Sequence, residues 1–98
     1  MDKTAVTTAT RAEVYAALDS ERNYQDSRWN SSTTESEGIH SLSEWSVYMQ
    51  DYLHEMQHVL SREATQTATP KALHIIRKIT GMGVAAMEQL GAPKREGF

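Results

Sequence analysis

Asp51, His54, Glu55 and His58 have side chains that can bind metal or transfer protons, and they lie close together in the sequence. Their spacing of three and four residues places them along one side of a helix. His54 and His58 enclose Glu55 in the pattern H-E-x-x-H, in which two imidazoles share a zinc ion and the glutamate activates the bound water.

The zinc interpretation requires more than this pattern supplies. A zinc peptidase also needs a third protein ligand, such as Glu63 or Glu88, and usually an edge strand that holds the peptide substrate. No stretch of the sequence alternates apolar and polar residues for long enough to form a convincing strand. The sequence therefore favours the simpler interpretation, in which His54 and His58 are exposed helix residues and Glu55 pairs locally.

The helix that carries these residues is predicted to begin after Ser41 and to run to about Glu63. Ser41 and Glu44 match a capping box, in which each side chain bonds the backbone N–H of the other residue. Apolar side chains then recur at helical spacing along one face, at Trp45, Met49, Tyr52, Met56, Val59 and Leu60. Asp51 and Glu55 form a polar ridge beside this apolar stripe.

Two further helices are predicted on either side of this one. The capping-box pair Thr10 and Glu13 starts the first, which runs to about Ser27. Pro70 starts the last, because proline at the first helical position gives up an N–H that has no partner there. This last helix is apolar on more than one face and ends at Gly91, so we expect it to be buried between neighbours. Its internal Gly81 and Gly83 predict close approach of another helix, from this chain or from a second subunit.

The sequence therefore predicts an all-α fold, an antiparallel helical hairpin with a shorter N-terminal helix, or a bundle of about three helices. Residues 1–9 form a Thr-rich flexible arm, residues 10–93 a single helical domain, and residues 94–98 a charged tail. Asn30 to Gly38 is predicted to be a loop. Because 98 residues bury a modest share of their surface, we expect oligomerisation to complete the core.

Composition excludes several classes of function. The net charge of −3 argues against a DNA- or RNA-binding protein. The absence of cysteine removes disulfides and thiolate metal sites. No apolar run is long enough to cross a bilayer, and the N-terminus lacks the apolar segment of a signal peptide. We therefore expect a cytoplasmic protein with no membrane partner.

A nine-residue motif gives the sequence a family resemblance. Positions 21–29 read Glu21-Arg22-x-x-Gln25-Asp26-x-x-Trp29. This resembles the E-R-x-x-Q-D-x-x-W signature of small phage-encoded proteins of the MazG-like family, which comprises all-α nucleoside triphosphate pyrophosphohydrolases and their relatives. In that family the signature precedes a loop, a tryptophan-led acidic helix and an apolar helix rich in alanine and valine. The same order follows here.

The resemblance also implies which catalytic acids are present. Asp51 and Glu55 match the first carboxylate motif of the family, and Tyr52 stands at the position of a third acid. The second acidic pair would fall near Ile75 and Lys78, neither of which is acidic. Pyrophosphohydrolysis needs several converging carboxylates to hold Mg²⁺. The resemblance therefore implies a site that has lost metal ligands and gained positive charge, and that can hold phosphates without a metal.

These observations predict a nucleotide-binding protein that does not turn its ligand over. The predicted ligand-binding residues are Arg22, Tyr24, Arg28, Tyr52, Arg77 and Lys78. Tyr24, Tyr52, Trp29 and Tyr48 are the candidates for stacking on a base. Arg77 is preferred to its neighbour Lys78, since adjacent helix residues do not share a direction, and it is predicted to face the Asp51/Glu55 ridge.

The predicted ligand is a nucleotide, and one specific hypothesis is a sponge that sequesters cyclic oligonucleotide messengers of bacterial immunity. No cofactor is expected for such a binder. The alternatives are a Mg²⁺-dependent nucleoside triphosphate pyrophosphohydrolase that uses Asp51 and Glu55, a zinc peptidase that uses His54 and His58, and a helical interaction module that binds no small molecule.

Overall fold

A computed structural model describes residues 8–28 and 39–97, and over these residues the chain forms three helices. They are α1 (Arg11–Arg28), α2 (Leu42–Arg62) and α3 (Thr65–Leu90). The described residues contain no strand, which confirms the all-α prediction. None of the three helices combines the length and the hydrophobicity that crossing a bilayer requires. Trp29, the predicted loop and most of the predicted N-terminal arm lie outside the described residues.

Both predicted capping boxes are present. At the start of α1, the Thr10 N–H donates to Glu13 Oε1 at 2.8 Å and the Glu13 N–H donates to Thr10 Oγ1 at 3.1 Å. At the start of α2, Ser41 and Glu44 make the same two bonds, also at 2.8 and 3.1 Å. Each box satisfies N–H groups that have no partner inside the helix.

We expect Ser41→Ala to lower the free energy of unfolding by about 1 kcal/mol, because the Glu44 N–H then loses its acceptor. The bond from the Ser41 N–H to the carboxylate lowers the pKa of Glu44 below its ordinary value of 4.5. A depressed pKa stabilises the fold above the ordinary value, and this contribution is lost as pH falls through the lowered pKa. Urea denaturation of both proteins near neutral pH measures the difference. Equal midpoints would contradict the capping role.

The start of α3 differs from the prediction. The helix begins at Thr65, five residues before the predicted start at Pro70. The N–H groups of Thr67 and Ala68 both donate to the Ala64 carbonyl, at 3.0 and 2.8 Å. No side chain caps this end, but Ala68 is almost completely buried. Burial of Ala68 supports this additional turn, and Pro70 then lies inside α3, where it has no N–H to donate to the Gln66 carbonyl.

Helix α3 lies at the centre of the molecule and contacts both other helices. Trp45, near the start of α2, packs against Met82 and Ala85 near the end of α3, so α2 and α3 form the predicted antiparallel hairpin. Arg22, near the end of α1, bonds Glu88 near the end of α3, so α1 runs parallel to α3. The central helix thus brings the second half of α1 and the middle of α2 to neighbouring positions.

The core is small, and its largest member is Trp45. The buried apolar residues are Trp45, Ala68, Ala72, Ile75, Met82, Ala85 and Ala86. The α2 stripe faces this core as predicted, except that Leu60 is exposed. Helix α1 packs through polar side chains. Val14 and Tyr24 are exposed, and the buried residues of α1 are Glu21 and Gln25.

Candidate functional site

The three helices meet around a cavity of about 180 Å³. Helix α1 contributes four of its lining residues, α3 two and α2 one. These are Glu21, Tyr24, Gln25, Arg28, Tyr52, Lys78 and Met82. Four of the six predicted ligand-binding residues are among them: Tyr24, Arg28, Tyr52 and Lys78.

Gly81 allows α1 to lie close enough to α3 to form this cavity. A β-carbon at position 81 would lie 2.8 Å from Glu21 Cγ and 2.9 Å from Gln25 Nε2, which is closer than such atoms pack. Glu21 and Gln25 therefore rest directly on the glycine backbone. This contact fixes the position of α1, and it places Tyr24 and Arg28 of the same helix at the cavity.

The buried polar side chains of α1 form hydrogen bonds with one another and with α3. Glu21 Oε1 accepts a hydrogen bond from Arg77 Nε at 2.9 Å, and Glu21 Oε2 accepts one from Gln25 Nε2 at 3.2 Å. The Gln25 amide also donates to the Lys78 carbonyl at 3.3 Å. Because a buried carboxylate is tolerated only when it is paired, these bonds explain why α1 docks on Arg77.

Arg22 connects α1 to α3 outside this cavity and does not line it. Its guanidinium donates to Asp26 at 2.8 Å, to Gln25 Oε1 at 3.1 Å and to the carboxylate of Glu88. Partial burial alone would lower the pKa of Arg22, but the bonds to Glu88 and Asp26 outweigh it and raise that pKa. This predicted ligand residue therefore acts as a link between α1 and α3.

The cavity combines two cations with two aromatic rings. Lys78 Nζ lies 5.5 Å from the centre of the Tyr52 ring, and the Arg28 guanidinium lies 6.0 Å from the centre of the Tyr24 ring. No carboxylate in residues 8–28 or 39–97 forms a salt bridge with Lys78. Glu21, the one acid among the described residues of the wall, is paired with Arg77. Such a cavity attracts an anion that carries an aromatic group.

A second cavity of about 330 Å³ adjoins the first. It is lined by Ser20, Glu21, Tyr24, Arg77 and Lys78. Arg77 and Lys78 thus border the same space although they are adjacent in sequence. Arg77, preferred from the sequence, is held by Glu21 and also contacts His74 Nδ1 at 2.6 Å. Lys78 borders both cavities, so its ammonium is the better placed of the two to meet a ligand.

The Asp51/Glu55 ridge lies elsewhere, on the outer side of α2. Asp51, His54, Glu55 and His58 are exposed and, with Tyr52, line a shallow depression to which neither α1 nor α3 contributes. Residues 8–28 and 39–97 contain no group of three or more His, Cys, Asp or Glu placed to hold a metal ion. Over the residues that the structure describes, the predicted contact between Arg77 and this ridge is not seen. Arg77 bonds Glu21 of α1 instead, and it lines no cavity together with Asp51 or Glu55. Tyr52 alone borders both regions.

The remaining candidates for stacking have other positions. Tyr48 packs edge-on against His40, with ring centres 5.2 Å apart, and against Trp45. Trp45 belongs to the core, and its Nε1 donates to Gln89 at 3.2 Å. Gln25 and Glu21 were not predicted to line a cavity. The only signal for them in the sequence was the nine-residue motif, in which they lie four residues apart.

No protein-family model matches the chain, and searches of the curated proteins and of the solved structures returned no significant match.

Proposed function

We propose that this protein binds a nucleotide in the cavity between its three helices and does not hydrolyse it. The observation that supports this function is the meeting of Lys78 and Arg28 with the rings of Tyr24 and Tyr52. Phosphates are bound by charge-assisted hydrogen bonds from the cations, and a base stacks on a tyrosine. The resemblance to MazG-like proteins in the nine-residue motif supports the same class of ligand.

The separation of the acids from this cavity supports binding without hydrolysis. Asp51 and Glu55 are the acids that would hold Mg²⁺ in a pyrophosphohydrolase, and they line a depression on α2 alone. Two carboxylates from one helix leave Mg²⁺ with few protein ligands. A protein that retains its nucleotide unchanged acts as a store or a sponge, and cyclic oligonucleotide messengers of bacterial immunity are the ligands we propose for it.

We expect Lys78→Ala to weaken nucleotide binding by about 10- to 100-fold, the cost of losing one hydrogen bond to a charged phosphate. Isothermal titration with nucleoside mono-, di- and triphosphates and with cyclic dinucleotides measures the affinity. Lys94→Ala is the matched control, because it removes the same charge from an exposed residue outside the cavities. No binding of any of these nucleotides by the wild-type protein would overturn the proposal, as would equal affinities for the Lys78 and Lys94 variants.

The fate of the ligand separates a binder from an enzyme. The nucleotide is mixed with the protein and Mg²⁺, the protein is denatured, and the released ligand is identified by chromatography. We expect the ligand to be recovered intact. Recovery of a nucleoside monophosphate with pyrophosphate would establish the hydrolase instead, and Asp51→Asn and Glu55→Gln would then abolish turnover by removing the Mg²⁺ ligands.

A further inference from the structure

An exposed apolar seam runs along α3 on a side that neither α1 nor α2 covers. Its residues recur at alternating intervals of three and four, the spacing of a coiled-coil helix. They are Leu73, Ile76, Thr80, Gly83, Met87 and Leu90. The four large side chains are 58%, 43%, 47% and 48% exposed in chain order, and none of the six residues is charged. We refer to these six residues as the α3 seam.

The surroundings of the α3 seam are also apolar. Its first half lines a groove of about 560 Å³ with Val14, Ala17 and Leu18 of α1. A monomeric protein rarely exposes a continuous apolar surface of more than a few hundred Å². A core dominated by one tryptophan and several alanines leaves the chain short of buried apolar surface. A partner that covers the α3 seam would bury the additional apolar surface that the single chain leaves exposed.

Gly83 provides a second and independent indication that another molecule packs against the α3 seam. Glycine inside a helix costs about 1 kcal/mol relative to alanine, so its presence needs a compensating contact. Gly81 has such a contact within the chain, against α1, but a β-carbon at position 83 would meet no atom of residues 8–28 or 39–97 within 4 Å. Nothing in the described chain therefore requires glycine at this position of the α3 seam. Close approach of a helix from another molecule would require it.

The distribution of side-chain size along the α3 seam favours a second copy of the same chain as the partner. From either end the seam reads two large residues and then a small one, so two copies related by a two-fold axis pair large residues with large and small with small. Ile76 then lies opposite the partner's Met87, and Leu73 lies opposite the partner's Leu90. The small residues Thr80 and Gly83 lie opposite each other around the axis, where the two helices come closest. An isologous interface needs this self-complementarity, whereas an unrelated partner does not.

We propose that a second copy of this chain packs against the α3 seam, with the two α3 helices antiparallel. Ile76 and Lys78 are two residues apart, which turns the helix by about 200°. The α3 seam and the candidate nucleotide cavity therefore lie on opposite sides of α3. The interface does not rest on the proposed nucleotide function, and its loss leaves the cavity residues in place.

The first test is the mass of the protein in solution, by light scattering coupled to gel filtration. We expect twice the chain mass of 11.0 kDa, or a larger assembly built from such pairs. Ile76→Glu places a charge in the α3 seam, and Gly83→Leu places a bulky side chain at the axis. Both are expected to reduce the mass, while helix content measured by circular dichroism is unchanged. Val47→Glu, at an exposed residue of α2, is the matched control and should leave the mass unchanged.

The second test determines the register. The chain has no cysteine, so introduced cysteines are its only thiols. Ile76→Cys and Met87→Cys proteins are mixed and oxidised, and a disulfide-linked pair is expected only in the mixture. In a pair formed by two copies of the same variant, the two introduced cysteines lie about 16 Å apart along the helices, too far for a disulfide.

Three results would overturn the interface. They are a wild-type protein that is monomeric at high micromolar concentration, an assembly whose mass neither seam variant reduces, and oxidation that links each single variant as readily as the mixture. Nucleotide titration of the Ile76→Glu protein separates this proposal from the function. An Ile76→Glu monomer that binds nucleotide supports both proposals, whereas a wild-type pair that binds no nucleotide contradicts the proposed function alone.

Discussion

Replacing Trp45 by alanine is expected to lower the free energy of unfolding by about 3–5 kcal/mol, at the upper end of the range for a single substitution. Trp45 is only 2% exposed and packs against Met82, Ala85 and Ala86. The three neighbours are on one rigid helix and two of them are alanines, so they cannot move in to fill the cavity. A domain of this size has a total stability of about 5–15 kcal/mol, so the variant should be close to unfolding at 37 °C.

Two control variants separate the causes of this effect. Trp45→Phe keeps most of the ring but loses the hydrogen bond from Nε1 to Gln89, and we expect a smaller loss of about 1–3 kcal/mol. Val47→Ala, at a side chain that is 60% exposed on the same helix, should change stability by no more than about 0.5 kcal/mol. Urea denaturation followed by circular dichroism measures all three. A Trp45→Ala protein as stable as Val47→Ala would contradict the described core.

Gly81→Ala is expected to have the second large effect on stability. Helix propensity favours alanine over glycine, but we expect this substitution to destabilise the fold. Alanine would stabilise an exposed helix position by about 1 kcal/mol. At position 81, however, its β-carbon would lie 2.8 Å from Glu21 Cγ, in a side chain held by Arg77 and Gln25. Overpacking of this kind costs about 1–3 kcal/mol. We expect a net destabilisation and displacement of α1, with weaker nucleotide binding because Tyr24 and Arg28 move with that helix.

Gly83→Ala is the matched control for this prediction. Its β-carbon meets no atom of the described chain within 4 Å, so alanine should stabilise the fold by about 1 kcal/mol. Both substitutions are compared in the Ile76→Glu background, so that association of subunits does not enter the measurement. Thermal unfolding should give a higher melting temperature for the Gly83 variant and a lower one for the Gly81 variant. The same shift in both would contradict the close contact of α1 with α3.

The helical class and two of the three helix starts could be predicted from the sequence, because both depend on interactions between residues within one or two turns. Thr10 with Glu13, and Ser41 with Glu44, form capping boxes between residues three positions apart. The apolar spacing of α2 identified its buried face in the same way, since every member of the stripe lies on one helix.

Packing between helices determines which side chains form the candidate site, and the sequence alone did not predict it. Arg77 bonds Glu21 across 56 positions of sequence, and Gln25 reaches the Lys78 carbonyl across 53. Helical periodicity places a residue on a face of its own helix but does not state which neighbour covers that face. Arg77 was therefore predicted to meet Asp51 and Glu55, whereas it is held by α1. The early start of α3 has the same origin, because burial of Ala68 depends on packing between helices and not on local signals.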